Sequence, residues 1–173
     1  MNDRKERILG SALELFANQG YDSTATIRIA KHAEVSEGLI FKHFGNKRGL
    51  LDAILEEAQS RAEILLEPLM AEKSPQRLIE MAIEMPFGIE EAEHDFWRLQ
   101  FKLKWEQEFY QGDKLHPLTE RLEWAFDALG FDSPSQEAHL LTYLIDSIST
   151  EILRGNLQEQ EKFKAFLLQK YRK

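Results

Sequence analysis

Apolar residues recur at helical spacing along almost the whole chain, and this periodicity restricts the fold more than any other feature. In the first segment Ile8, Ala12 and Leu15 follow the i, i+4, i+7 pattern of one helix face. No segment shows the alternation of apolar and polar residues that is expected of a strand. Breaks rich in glycine, proline and serine divide the chain into about nine helical segments. The sequence therefore predicts an all-α protein.

Charge is distributed unevenly between the two ends of the chain. The net charge is -8, but residues 1–50 contain 8 Lys+Arg and 6 Asp+Glu, whereas the rest contains 14 and 24. Only the first fifty residues are therefore expected to attract a polyanion. There is no cysteine, which excludes disulfides and thiolate metal sites. The chain has neither a signal-peptide pattern nor a membrane-spanning apolar run, so we predict a soluble, cytoplasmic protein.

Three short helices are predicted before residue 46, and a tight turn joins the second to the third. Gly20 is expected to end the first helix, Thr26 to cap the second and Ser36 to cap the third. This arrangement is a helix-turn-helix, in which the third helix enters the major groove of DNA. A three-helix packing unit with a solvated basic face, as in a protein-interaction module, is the alternative.

The third helix, which runs to about Phe44, is short and basic and has little room for a core. We expect Ile40, Phe41 and Phe44 to pack inward. The positions left for solvent or DNA are Ser36, Glu37, Leu39, Lys42 and His43. The missing side chain of Gly38 allows the backbone to approach a duplex closely.

Two motifs lie within residues 8–55. The first is A-x-x-L-F-x-x-x-G-Y-x-x-T-x-T, and the second is I-A-x-x-A-x-V-S-x-G-x-I-F-x-H-F-x-x-K-x-x-L-L. Together they resemble the N-terminal DNA-binding domain of TetR-family transcriptional regulators, and the resemblance fades after about residue 56. It implies a homodimer on a pseudo-palindromic double-stranded operator. It also implies a helical C-terminal domain that binds a small-molecule effector, and most often a repressor that the effector releases from DNA.

The resemblance also implies roles for single residues. The base-reading positions correspond to Ser36, Glu37, Gly38, Leu39 and Lys42. The phosphate-contacting positions correspond to Thr26, His43 and Lys47. The carboxylate of Glu37 could accept a hydrogen bond from cytosine N4, or it could simply favour the positive end of the helix dipole.

Three residues depart from the family pattern. Phe41 stands where tyrosine is common, and it lacks the hydroxyl that often reaches a phosphate. Glu34 stands where the turn usually carries glycine, which predicts backbone strain at that position. Gly49 stands where a helix-forming residue is frequent.

The domain boundary is predicted at residue 46. Residues 1–46 would form the DNA-binding domain, and residues 47–173 a helical ligand-binding and dimerisation domain that begins with a long helix to about Ala71. The last two helices carry apolar residues on more than one face, which favours a two-fold interface with a second copy. The candidate interface residues are Leu141, Ile145, Ile148, Ile152, Phe163, Phe166 and Leu167. Alternatively, these residues complete the core of one protomer.

Aromatic and methionine residues of the C-terminal part could line a ligand pocket between helices. The candidates are Met81, Met85, Phe87, Trp97, Phe101, Trp105, Trp124 and Tyr143. Aromatic residues at helical spacing more often belong to a core, which is the alternative. The acidic balance favours an apolar or cationic effector over an anionic one.

An enzyme would need a catalytic or metal-binding motif. Glu91 and His94 have the spacing of a dimetal helix, but no second Glu-x-x-His exists elsewhere in the sequence. We therefore expect no catalytic residue, no metal and no cofactor.

Overall fold

The computed structural model describes residues 3–104 and 115–173, which form nine α-helices and two short 3-10 turns. The helices are α1 (Asp3–Gln19), α2 (Thr26–His32), α3 (Glu37–Phe44), α4 (Lys47–Ala71), α5 (Pro75–Glu84), α6 (His94–Leu103), α7 (His116–Ala128), α8 (Pro134–Leu153) and α9 (Gln160–Lys170). The 3-10 turns are Met85–Gly88 and Glu91–Glu93. No β-strand occurs in these two described ranges. The prediction of an all-α fold is confirmed.

The helix ends follow the local chemistry of their residues. The Asn46 side-chain oxygen Oδ1 accepts a 2.8 Å hydrogen bond from the Gly49 backbone N–H, which caps the start of α4. Ser74 caps α5 in the same way, and Pro75 is the first residue of that helix. Thr26 does not cap α2 as predicted. Ala25 holds the cap position, and Thr26 is the first helical residue.

Residues 3–62 and 92–104 form one compact unit. In this first unit α1 packs against α2 and α6, and α2 packs against α3. Its core contains Ile8, Ala12, Phe16, Ile29, Ile40, Leu50, Leu51, Ile54, Leu99 and Leu103. Burial of each large side chain stabilises the fold by about 1.5–3 kcal/mol, so the three short helices are held by this shared core.

Residues 63–91 and 115–173 form the second compact unit. Here α7 packs against α8 and α5, and α5 also contacts α9. The buried residues of this unit are apolar apart from Thr119, Thr142 and Ser149. The hydroxyl oxygens of Thr119 and Thr142 lie 3.0 Å apart in a buried hydrogen bond. Each hydroxyl also lies within hydrogen-bond distance of a backbone carbonyl one helical turn earlier in its own helix. Neither hydroxyl is therefore left unpaired.

Helix α4 runs from the first unit into the second. Its early residues Leu50, Leu51 and Ile54 belong to the first core, and Leu69 near its end belongs to the second. The compact units therefore divide within α4, at residue 62, and not at its start. The boundary predicted at residue 46 divides DNA binding from ligand binding and dimerisation. This functional division stays a prediction.

Candidate nucleic-acid interface

A four-residue connection joins α2 to α3. Within it, the Val35 N–H donates to the Ala30 carbonyl at 3.0 Å, and the Ala33 N–H donates to the Ile29 carbonyl at 2.9 Å. Glu34 has a φ of 53°, in the left-handed region. This is the strain that the sequence predicted at a position where the family usually has glycine. The short connection and the shared core fix α3 against α1 and α2.

The faces of α3 differ from the prediction at two residues. Ile40 is fully buried, and Leu39 and Phe44 pack partly buried against the same core. Phe41 is 44% exposed instead of packed inward. Leu39 and Phe41 each lie about 100° around the helix from Ile40, so the period could not tell which of them faces the core. Leu39 is therefore a poorer base-reading candidate than the sequence indicated.

The outward face of α3 is formed by residues at the i, i+3, i+4 and i+7 positions. They are Gly38, Phe41, Lys42 and Gly45. Ser36 is also exposed, just before the helix, while Glu37 and His43 are partly buried at the edges of this face. Of the five predicted base-reading residues, Ser36, Gly38 and Lys42 are therefore exposed, and Glu37 and Leu39 are partly buried.

Thr26 and Glu37 contact each other across α2 and α3. The Thr26 hydroxyl donates a 2.6 Å hydrogen bond to the Glu37 carboxylate oxygen Oε1. Such a bond to a charged acceptor is short and strong. The family resemblance implied a phosphate contact for Thr26 and a base contact for Glu37, and the sequence gave no sign that the two side chains are partners.

Lys47 connects the start of α4 to the loop between α1 and α2. Its ammonium Nζ donates to the carbonyl oxygens of Tyr21 at 2.9 Å and Thr24 at 3.2 Å. The same atom lies 4.2 Å from the centroid of the Tyr21 ring. An ammonium has three N–H donors, so one donor remains for a phosphate. Lys47 therefore has a structural role that the sequence did not indicate.

Gly49 holds the end of α3 against the first turn of α4. A Cβ atom at this position would lie 2.1 Å from the carbonyl oxygen of Phe44. No side chain fits at that distance, so the close approach of the two helices requires glycine. The only sequence signal was a glycine in the first turn of a helix, where other residues are more favourable.

The family profile described as bacterial regulatory proteins of the tetR family matches residues 8–54. Residues 8–54 are thus similar in sequence to the N-terminal domain of TetR-family regulators. The chain is 42% identical over 67 residues to the HTH-type transcriptional regulator YvkB of Bacillus subtilis, covering 39% of this chain and 35% of that protein. It is 35% identical over 77 residues to the HTH-type transcriptional repressor Rv3405c of Mycobacterium tuberculosis, covering 44% and 39% respectively. The matches thus span little more than a third of these relatives.

A similarity to solved structures extends over almost the whole chain. A transcriptional regulator of the TerR/AcrR family from Aquifex aeolicus superposes with a TM-score of 0.70 at 25% sequence identity, covering 96% of both chains. The likeness therefore reaches the second unit, where sequence motifs gave no resemblance.

The predicted ligand-pocket residues fall into separate groups. Met81, Met85 and Phe87 pack partly buried against the core of the second unit. Trp124 and Tyr143 point outward, with 40% and 67% of their surface exposed. Trp97 and Phe101 are partly buried in the first unit, and Trp105 lies outside the described residues. The seven described residues are therefore not brought together within either unit.

A surface groove of about 480 Å³ lies beside the α7–α8 connection of the second unit. Trp124 lines it with Glu123, Asp127 and Asp132. The guanidinium of Arg121 lies 4.4 Å from the centroid of the Trp124 rings, so a cation of the protein itself already covers that aromatic face.

Five of the seven predicted interface residues belong to the interior of one protomer. Leu141, Ile145, Ile148, Ile152 and Leu167 are at most 7% exposed and are members of the second core. For these five, the alternative of a protomer core was correct. Phe163 is partly buried and Phe166 is 58% exposed. The exposed apolar residues of α8 are instead Leu140 and Tyr143, which lie three residues apart on one face.

The described residues contain no group of three or more His, Asp or Glu side chains that could hold a metal ion. His94 is the first residue of α6, and Glu91 lies in the 3-10 turn before it. None of the helices in the described ranges combines the length and apolar character that would let it cross a membrane.

Proposed function

We propose that this chain is a sequence-specific DNA-binding transcriptional regulator that inserts α3 into the major groove. We propose further that it acts as a repressor. The observation that carries the proposal is the outward face of α3, on which Lys42 is the charged side chain, while the inner face of the same helix packs into a buried core. A related protein of Mycobacterium tuberculosis is named a repressor, which supports the sign of regulation. The positive balance of the first fifty residues is compatible with a polyanion as partner.

Base reading in this proposal belongs to Ser36, Glu37, Gly38 and Lys42. Lys42 can donate to guanine O6 or N7, and Glu37 can accept from cytosine N4 through its free oxygen Oε2. His43 and the third donor of Lys47 would contact phosphates, which position the protein without specifying sequence. Thr26 contributes indirectly, through its hydrogen bond to Glu37.

The operator would be bound by a homodimer. Leu140 and Tyr143 on α8 and Phe166 on α9 are exposed apolar side chains of the second unit. An isologous contact between two copies would bury these residues and would set the two α3 helices one DNA turn apart. This replaces the buried set predicted from the sequence, of which Phe166 and the partly buried Phe163 are retained.

The proposal also includes a small-molecule effector that binds the second unit and controls DNA binding. Met81, Met85 and Phe87 pack partly buried at the edge of the second core. Their flexible, polarisable and aromatic side chains would suit an apolar or cationic compound. α4 would carry the signal, since it begins with Lys47 and, near its end, places Leu69 in the second core. A compound that binds one arrangement of α4 better would shift the protein away from the DNA-binding state.

Selection from a random duplex library tests the proposal. We expect enrichment of a pseudo-palindrome, and sedimentation of the complex at the mass of two chains per duplex. A protein-interaction module with a solvated basic face would enrich no sequence. An enzyme with a metal centre would instead yield bound metal on elemental analysis. A thermal-shift screen followed by operator release would then test whether an effector exists.

A further inference from the structure

Phe41 is the one exposed apolar side chain on α3. It lies at the middle of the outward face, three residues after Gly38 and four before Gly45, with Lys42 beside it. Its exposed fraction is 44%, whereas every other apolar side chain of α3 is buried or packs against the core of the first unit. We expect a solvent-exposed aromatic ring at the centre of a DNA-facing surface to contact the DNA.

The chemistry of the ring limits what it can bind. Phenylalanine has no hydroxyl, so it cannot donate a hydrogen bond to a phosphate as tyrosine can. The edges of the bases in the major groove carry hydrogen-bonding groups and a single kind of apolar group, the C5 methyl of thymine. A methyl group is therefore the base feature that an exposed phenyl ring can recognise.

The neighbours of Phe41 leave room for such a contact. Side chains on a helix lean toward its N-terminus, which directs the ring of Phe41 over the turn that contains Gly38. Gly38 has no side chain, and a Cβ atom there would have no neighbour within 4 Å. The ring and the backbone of α3 can thus both come close to the base edges.

We propose that Phe41 is a specificity residue that reads the methyl group of a thymine in each half-site of the operator. The inference rests on the proposed function, because it requires α3 to enter the major groove. It assigns an A·T base pair to the centre of the α3 contact. Phe41 belonged neither to the predicted base-reading residues nor to the predicted phosphate-contacting residues.

Replacement of thymine by deoxyuridine tests the inference, since it removes one methyl group and leaves base pairing unchanged. The thymines of the selected operator are replaced one symmetric pair at a time. At one pair we expect wild-type affinity to fall about fourfold per half-site and about fifteenfold for both. Phe41→Ala is expected to bind the thymine and uracil duplexes equally, and Phe41→Leu to keep part of the difference.

Ile27→Ala is the matched control, because Ile27 is another exposed apolar residue of the first unit, on α2. This variant should keep the full difference between the two duplexes at the position that Phe41 reads. The inference is overturned if the wild type binds every uracil duplex as tightly as the thymine operator. It is also overturned if Phe41→Ala weakens binding but keeps the same ratio between the duplexes. Failure of the wild type to bind any selected duplex would contradict the proposed function itself.

Discussion

The hydroxyl of Thr26 donates a 2.6 Å hydrogen bond to Oε1 of Glu37, and this bond joins the first residue of α2 to the first residue of α3. It restrains the carboxylate and leaves Oε2 free to accept from a base. In the proposed function, Thr26 would therefore act on DNA through Glu37.

Removal of the Thr26 hydroxyl should relax the choice of base at the position that Glu37 reads. A good pair of hydrogen-bonding groups contributes about 1–3 kcal/mol of discrimination, so we expect Thr26→Val to lose about tenfold of base preference. Thr26→Ser keeps the hydroxyl and should behave like the wild type. Competition binding with operators changed at each position measures the preference. A uniform loss of affinity across all sequences would assign Thr26 to phosphate instead.

Substitution of Lys47 should affect stability as well as DNA binding. Lys47→Ala removes two hydrogen bonds from a charged donor, and we expect the free energy of unfolding to fall by about 1–3 kcal/mol. Arg48→Ala is the matched control, because the Arg48–Asp52 ion pair is exposed and contributes at most about 1 kcal/mol. Urea denaturation measures both values. Equal stability of Lys47→Ala and the wild type would contradict the structural role.

The DNA contact of Lys47 is measured separately. If its third donor binds a phosphate, Lys47→Ala should weaken binding similarly for all sequences and reduce the salt slope by about one unit. A changed base preference with an unchanged slope would be incompatible with a phosphate contact.

Gly38→Ala should separate folding from DNA binding. An alanine Cβ meets no atom within 4 Å in the free protein, and alanine favours a helix over glycine by about 0.5–1 kcal/mol. We therefore expect a raised melting temperature together with weaker operator binding, because the added methyl group would keep the duplex away from α3. Unchanged affinity in the stabilised variant would show that the backbone at Gly38 does not approach DNA closely.

The left-handed backbone conformation of Glu34 should lower the free energy of unfolding. A residue with a side chain at a φ of 53° is strained by about 1–2 kcal/mol, and glycine is not. Glu34→Gly is expected to raise the free energy of unfolding by about 1 kcal/mol after the larger entropy of the unfolded glycine is subtracted. Glu34→Ala is the control, since it removes the exposed contact with Arg7 but keeps the strain. Equal stabilities of the two variants would contradict the strain.

Tyr171 should make stability depend on alkaline pH. Burial of the side chain raises the pKa of its phenol to about 12, and the negative charge of Glu137 adds to the rise. The folded state therefore holds this proton more tightly than the unfolded state, whose pKa is about 10. The resulting stabilisation is complete below pH 10 and is lost as the pH rises toward 12.

Tyr171→Phe measures this contribution. Within the described residues the buried Tyr171 oxygen has no hydrogen-bond partner of good geometry, so the variant should be about as stable as the wild type at pH 7. Between pH 10 and 12 its free energy of unfolding should fall less steeply than that of the wild type. Parallel curves for the two proteins would contradict the shifted pKa.

Helical period and helix-breaking residues were sufficient to predict the all-α fold, the short helices and a long helix that begins just after residue 46. They could not orient α3 completely, because Leu39 and Phe41 are equally far around the helix from Ile40. Tertiary packing decides that Leu39 faces the core. The close approach at Gly49 and the bond between Thr26 and Glu37 also depend on contacts distant in sequence.

The second unit was harder to interpret from sequence. Residues apolar on several faces of α8 indicated an interface, but Leu141 and Ile145 complete the protomer core instead. Periodicity reports that a side chain prefers burial, and it does not tell whether the burying surface belongs to the same chain. The same limit applies to the aromatic residues, of which Tyr143 proved exposed.

Fluorescence anisotropy with the selected operator tests the central claim, that α3 reads DNA, most directly. The operator and a scrambled duplex of equal composition are titrated with protein between about 50 and 200 mM salt. We expect the operator to bind at least about a thousandfold more tightly than the scrambled duplex, with affinity for both falling steeply as salt rises. Equal affinity for the two duplexes, or affinity that does not change with salt, would contradict the assignment of α3 to the major groove.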